Sequence, residues 1–158
     1  MPAFPESLAT EFLLDANIDL APTQQVGVTP LGTRSIYNVT GGTFDGPKLR
    51  GALLPGGADW LLSLANGASE LDVRATMQTD DGALIYVSYR GVIDIPPDVA
   101  ARLFGAGGDS VDTSEYYFRT TPRFETGSEK YAWLNKTVCV GIGRPARGSV
   151  GYRIFAVK

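Results

Sequence analysis

Strand-like runs recur along most of this 158-residue chain, and that recurrence limits the available folds more than any other feature. The clearest is LDVRATMQ (71–78), in which Leu71, Val73, Ala75 and Met77 alternate without a break with Asp72, Arg74, Thr76 and Gln78. A period of two puts the apolar set on one face of a strand and the polar set on the other, and Asp80-Asp81-Gly82 then supplies a turn. Similar runs occupy 10–20, 34–39, 48–54, 83–93, 114–120, 131–143 and 151–158, giving about eight or nine strands. Between them lie GGTFDGP, LPGGAD, ANGAS, TDDG and GRPARGS, rich in the residues that turns require. Strands at this spacing predict a single all-β domain over 1–158, either an antiparallel sandwich or a closed barrel. The one good helix candidate is IPPDVAARLFGAGG (95–108), where prolines open a first turn and glycines end it.

Periodicity alone leaves barrel and sandwich open, but several strands carry two useful faces. SEYYFRT sets Tyr116, Phe118 and Thr120 against Tyr117 and Arg119, and YAWLN sets Tyr131, Trp133 and Asn135 against Ala132 and Leu134. A lumen of mixed aromatic and polar side chains would use such faces, so the expected architecture is an antiparallel β-barrel of about eight or nine strands with one short helix.

Composition removes whole classes of function. A net charge of −3 and a thin Arg144, Arg147, Arg153 group do not make the dense basic surface that nucleic acid needs. No run approaches the ~20 apolar residues that span a bilayer, and MPAFPESLATEFLL lacks the basic start and apolar core of a signal peptide, so a cytoplasmic address without membrane contact is expected. The single cysteine, Cys139, cannot pair internally and lies in TVCVGI, where a buried inert thiol is expected. Histidine is absent altogether, which removes the commonest general base, the commonest transition-metal ligand and any Ser-His-Asp site. No acidic loop has EF-hand spacing, so neither a metal nor a cofactor is expected.

Four stretches could carry chemistry. PGGADWLL (55–62) boxes Asp59 among apolar neighbours beside Trp60; burial there would raise its pKa and make it a general acid, although an Asp after such a turn more often serves the backbone. Asp72 and Arg74 share one strand face, as a solvated pair or as an enclosed one in which Arg74 binds an oxygen of the ligand. YYFRTTPRFETG (116–127) packs aromatics, arginines and Glu125 together, suited equally to a structural network or a site. Tyr131, Trp133 and Asn135 would either grip a planar ligand or pack in the core. Gly141-Ile142-Gly143 follows a strand but opens no helix, so it is a poor nucleotide signature.

Taken together, Gly41-Gly42-Thr43-Phe44-Asp45-Gly46-Pro47, Pro55 to Trp60, Leu71-Asp72-Val73-Arg74, Thr79 to Ala83, and Phe124-Glu125-Thr126-Gly127 through Tyr131 to Asn135 resemble the DUF3237 family, also called UPF0311. The resemblance covers most of the chain and implies a compact antiparallel β-barrel. It also implies, through fungal members that act in aromatic polyketide tailoring, addition of a hydroxyl across a prenyl alkene without a cofactor. Asp59, Trp60, Asp72, Arg74, Glu125, Tyr131, Trp133 and Asn135 carry over as site candidates.

Three functional readings are open. In the first, the chain is a cofactor-independent enzyme of secondary metabolism that cyclises, isomerises or adds a hydroxyl to an alkene in a small aromatic or polyketide-like substrate. Asp59 is the acid, Arg74 or Asn135 holds an oxygen, Asp72 orients Arg74, and Trp60 and Trp133 offer ring faces to a cation. In the second, a non-catalytic binding barrel carries or senses a small apolar planar ligand. A barrel filled with side chains, acting in assembly, is the third option, and exposed strand edges leave homo-oligomerisation open to all three. The enzyme reading predicts Asp72 and Arg74 buried against a pocket, with Leu71, Val73, Ala75 and Met77 on the opposite face.

Overall fold

The computed structural model describes residues 1, 3–106 and 108–158. The strands are β1 (Thr10–Leu20), β2 (Gln24–Thr29), β3 (Gly32–Asp45), β4 (Arg50–Leu53), β5 (Ala58–Ser63), β6 (Ser69–Thr79), β7 (Leu84–Asp94), β8 (Tyr117–Thr120), β9 (Arg123–Glu125), β10 (Cys139–Ala146) and β11 (Ser149–Val157). Among the described residues the one α-helix, α1, spans Pro97–Leu103. Eight strands close a ring in the order β1, β3, β5, β6, β7, β8, β10, β11 and back to β1, every pair antiparallel. β2 flanks β3, β4 bridges β3 and β6 below β5, and β9 flanks β7. Closure removes most of the unpaired backbone that an open sheet would leave.

The antiparallel barrel expected from the two-faced strands and the family resemblance is present, and α1 begins at its second proline as the IPPD stretch predicts, though it is shorter than 95–108, within which Gly107 lies outside the described residues. The run read as a strand over 131–135 is instead a 3-10 helix, Ala132–Lys136. Its spacing explains the difference: Tyr131 and Leu134, three apart, are both buried, so the segment presents one face every three residues. It packs against β9, where Asn135 accepts from the Thr126 amide at 2.8 Å and donates to the Thr126 carbonyl at 2.9 Å.

Parity decides what fills the lumen. Leu71, Val73, Ala75 and Met77 are each 2–3% exposed and point inward, joined by Ile85, Val87 and Tyr89 of β7 and Tyr152, Ile154 and Ala156 of β11. The Gly141 and Gly143 pair has a packing role, since a Cβ at Gly143 would sit 2.5 Å from the ring of Phe118. Gly143→Ala should therefore overpack the barrel and lower stability by roughly 1–3 kcal/mol, readable as a lower urea midpoint at unchanged slope.

Candidate functional site

β5 enters the barrel wall directly after Pro55-Gly56-Gly57, where Gly56 and Gly57 take φ of +110° and +80°. A Cβ at Gly57 would lie 2.1 Å from the Arg74 carbonyl oxygen, so only glycine lets this turn press against β6. The turn fixes the parity of β5: Asp59 and Leu61 face the lumen, while Trp60 faces outward and lies under Arg74, whose guanidinium carbon is 5.8 Å from the ring centroid. Strand register then carries Asp59 into a row. It pairs with Tyr37 of β3 on one side and Val73 of β6 on the other, and Val73 pairs with Tyr89 of β7.

This row lines a cavity of about 290 Å³ in the half of the barrel where β6 starts and β7 ends, near the smaller end of the range for ligand pockets. Its walls are mainly apolar, including Ile18, Leu20, Val39, Leu61 and Phe118. Its polar groups are Asp59, the phenols of Tyr37, Tyr89 and Tyr152, and Ser69 and Ser149. Tyr89 and Tyr152 meet edge to face at 5.4 Å between centroids, and Phe118 packs on Tyr152 at 5.6 Å. Beyond them the lumen is filled, with a residual void of about 30 Å³ among Leu14, Leu53, Met77, Phe124 and Ile154. A wider depression of about 720 Å³ between Glu70, Arg90, Tyr117 and Arg119 lies on the outer wall and is open to solvent.

The electrostatics single out one group. Burial pushes the Asp59 carboxyl up from 3.8 to about 6. The Asp72 amide, which donates to Asp59 Oδ1 at 3.1 Å, opposes this; the nearby Asp72 carboxylate adds to it, and Arg34 draws it back slightly. Asp59 is only partly covered because it faces the cavity, whose apolar walls impose the desolvation. Burial likewise raises the phenols of Tyr89 and Tyr152, with Asp59 contributing in the same direction, so both keep their protons at neutral pH.

The other sequence candidates lie elsewhere. Asp72 and Arg74 are on the outer wall: their side chains are 29% and 52% exposed, 3.9 Å apart, with Arg90 3.5 Å from Asp72. The expected enclosed pair is thus corrected to a solvated one. The four apolar residues of β6 take the lumen, because burying them is favourable while enclosing Arg74 would cost several kcal/mol. Trp60 is outside too, and Glu125 is exposed on β9. The Tyr131 to Asn135 group plugs the end opposite the cavity, roughly 20 Å along β6 from Val73. There the Tyr131 hydroxyl donates to Asp81 at 3.0 Å, Asp81 is held well below its ordinary range chiefly by Lys130, and Lys48 lies 5.3 Å over Trp133. Of the eight candidates only Asp59 reaches the cavity. Tyr37, Tyr89 and Tyr152 were missed; for the last two the signal was a tyrosine at the apolar parity of its strand, Ile85-Val87-Tyr89 and Tyr152-Ile154-Ala156. Among the described residues no three of Asp, Glu and Cys converge as a metal cluster, Cys139 is buried with its thiol pushed up to about 11 by burial, and no helix is long and apolar enough to cross a membrane.

The family model described as a protein of unknown function (DUF3237) matches residues 8–157. A UPF0311 protein of Rhodopseudomonas palustris is 34% identical over 135 residues, covering 85% of this chain and 87% of that one. The crystal structure of a beta-barrel like protein from Acinetobacter baumannii superposes with a TM-score of 0.83 at 34% identity, over 99% of this chain and 100% of that one. A hydroalkoxylation enzyme of Penicillium herquei is 29% identical over 131 residues, covering 83% of this chain and 71% of the relative.

Proposed function

The chain belongs to the DUF3237 family, and from that premise and the cavity around Asp59 we propose that it is a cofactor-independent enzyme acting on a small aromatic or polyketide-like molecule. The observation that carries this reading is a carboxyl group poised near pH 6 on the wall of an apolar cavity, facing protonated phenols. A carboxyl group that still holds its proton near pH 6 can serve as the general acid in cyclisation, isomerisation or addition of a hydroxyl to an alkene. The distant likeness to a hydroalkoxylation enzyme favours the last of these.

In that reaction protonated Asp59 gives its proton to one alkene carbon, and positive charge develops on the other. The rings of Tyr37, Tyr89 and Phe118 line the cavity in which the charge would appear. The substrate's hydroxyl oxygen then bonds to that carbon and its proton goes to the Asp59 carboxylate, which returns the acid to its starting state. Every atom of the substrate is kept, and nothing is oxidised or reduced. A substrate that fills the cavity would displace the water that otherwise competes for the cation.

The outward position of Arg74 gives a direct control. Arg74→Ala should leave turnover within about twofold of the parent protein and cost about 1 kcal/mol of stability, since it removes one exposed ion pair and one surface stacking contact. The function itself is tested by incubating the protein with 2-prenylphenol-type compounds and examining the products by NMR. The expected product is an oxygen heterocycle of unchanged mass. Binding of such compounds in the cavity with no conversion would instead favour the carrier reading, which needs the cavity but not the acid.

A further inference from the structure

The two residues expected from sequence to hold a substrate oxygen, Arg74 and Asn135, are both outside the cavity, which leaves that role open. The cavity supplies another pair. Tyr89 and Tyr152 are 8% and 7% exposed, lie edge to face, and line both the cavity and the small void beneath it. Among the described residues no group outside the pair hydrogen-bonds either hydroxyl. Each phenol has one proton to donate, so even a mutual hydrogen bond would use one and leave one for a ligand. Of the two, Tyr89 stands in the strand row that carries Asp59, through Val73, so its hydroxyl is the one placed to meet a ligand held against that acid in a largely apolar chamber.

We propose that Tyr89, supported by Tyr152, is the oxygen anchor of the site: it donates to a carbonyl or phenolic oxygen at the leading end of a planar apolar ligand and so turns the reactive part of that ligand toward Asp59. The proposal rests on the reading of this cavity as a small-molecule site. It adds the ligand's distinguishing chemistry, an acceptor oxygen on an apolar ring system that enters oxygen first. A donor left without an acceptor in such surroundings is unfavourable, and a site built around one rejects analogues that lack the matching atom. The Tyr152 ring, wedged between Tyr89 and Phe118, fixes where the anchor stands.

The test compares two probes of nearly equal size, 1-tetralone and tetralin, which differ by the carbonyl oxygen. Calorimetric titration of the parent protein should show 1-tetralone binding at least tenfold more tightly. Tyr89→Phe should erase that preference while leaving tetralin affinity unchanged, and Tyr152→Phe should reduce it by weakening the support. Asp59→Asn should retain it. Equal or absent binding of both probes to the parent protein, or a preference that survives intact in Tyr89→Phe, would overturn the proposal. Because binding of 1-tetralone involves no proton transfer to carbon, loss of turnover in Asp59→Asn and loss of selectivity in Tyr89→Phe are separate results, and either can fail alone. The comparison on the parent protein stands even if a variant folds poorly.

Discussion

Asp59→Asn should lower turnover by about 10²- to 10⁴-fold while leaving ligand affinity within a few-fold, because the amide keeps the shape of the carboxyl but has no acidic proton to give. Asn can still accept from the Asp72 amide, which now meets Asp59 Oδ1, so the local backbone should be undisturbed. The pH profile of the parent protein should show the same dependence. The working form is the protonated acid, and burial places its midpoint at about 6. Activity should be highest below that value and fall about tenfold per pH unit above it, so that at pH 7 roughly a tenth of the protein is in the working form. A flat profile between pH 5 and 8, with an active Asp59→Asn variant, would remove Asp59 from the chemistry.

The same substitution should act on stability in the opposite direction. Asp59 titrates near its ordinary 3.8 in the unfolded chain and at about 6 in the folded one. The folded state therefore holds the proton more tightly, and stability falls as pH rises from about 4 to about 6, after which the full penalty persists. That shift corresponds to at most about 3 kcal/mol. Asn carries no such penalty. Asp59→Asn should thus be more stable than the parent by about 1–3 kcal/mol at pH 7.5, roughly 2–4 °C in Tm for each kcal/mol, with the difference shrinking toward zero below pH 4. Chemical denaturation of both proteins at pH 4 and 7.5 checks it; a variant less stable at pH 7.5 would show that the ionised carboxyl is held by favourable contacts. A gain in stability with a loss of turnover is the signature of a group kept for its reactivity.

These opposed effects explain why the site was only partly legible in the sequence. The antiparallel strands were readable because alternation and turn residues are local properties, and LDVRATMQ announces its two faces without help. Which face is inside is a question of free energy, and the polar face of Asp72 and Arg74 belonged in water because the apolar face could fill the lumen at no desolvation cost. β5 was missed as a strand because ADWLLS begins directly after a Pro-Gly-Gly turn and shows little alternation, yet it is β5 that delivers Asp59. Trp133 and Asn135 looked like ligand-binding residues because an aromatic and an amide suit that task, but their 3-10 spacing makes them a plug. Tyr89 and Tyr152, 63 positions apart in the chain, meet only when β7 and β11 face one another across the closed barrel. No local pattern records that closure. Asp59 was found because its chemistry and its immediate apolar neighbours are both local.

The proposed chemistry depends on Asp59 being a carboxyl group held near neutrality by the cavity. The most direct measurement is a ¹³C NMR titration of the aspartate carboxyl carbons, with the Asp59 resonance assigned by its disappearance in Asp59→Asn. The predicted midpoint is about 6. A midpoint near the ordinary 3.8 would mean that the carboxyl is solvated and fully ionised at neutral pH, and would contradict its role as the acid.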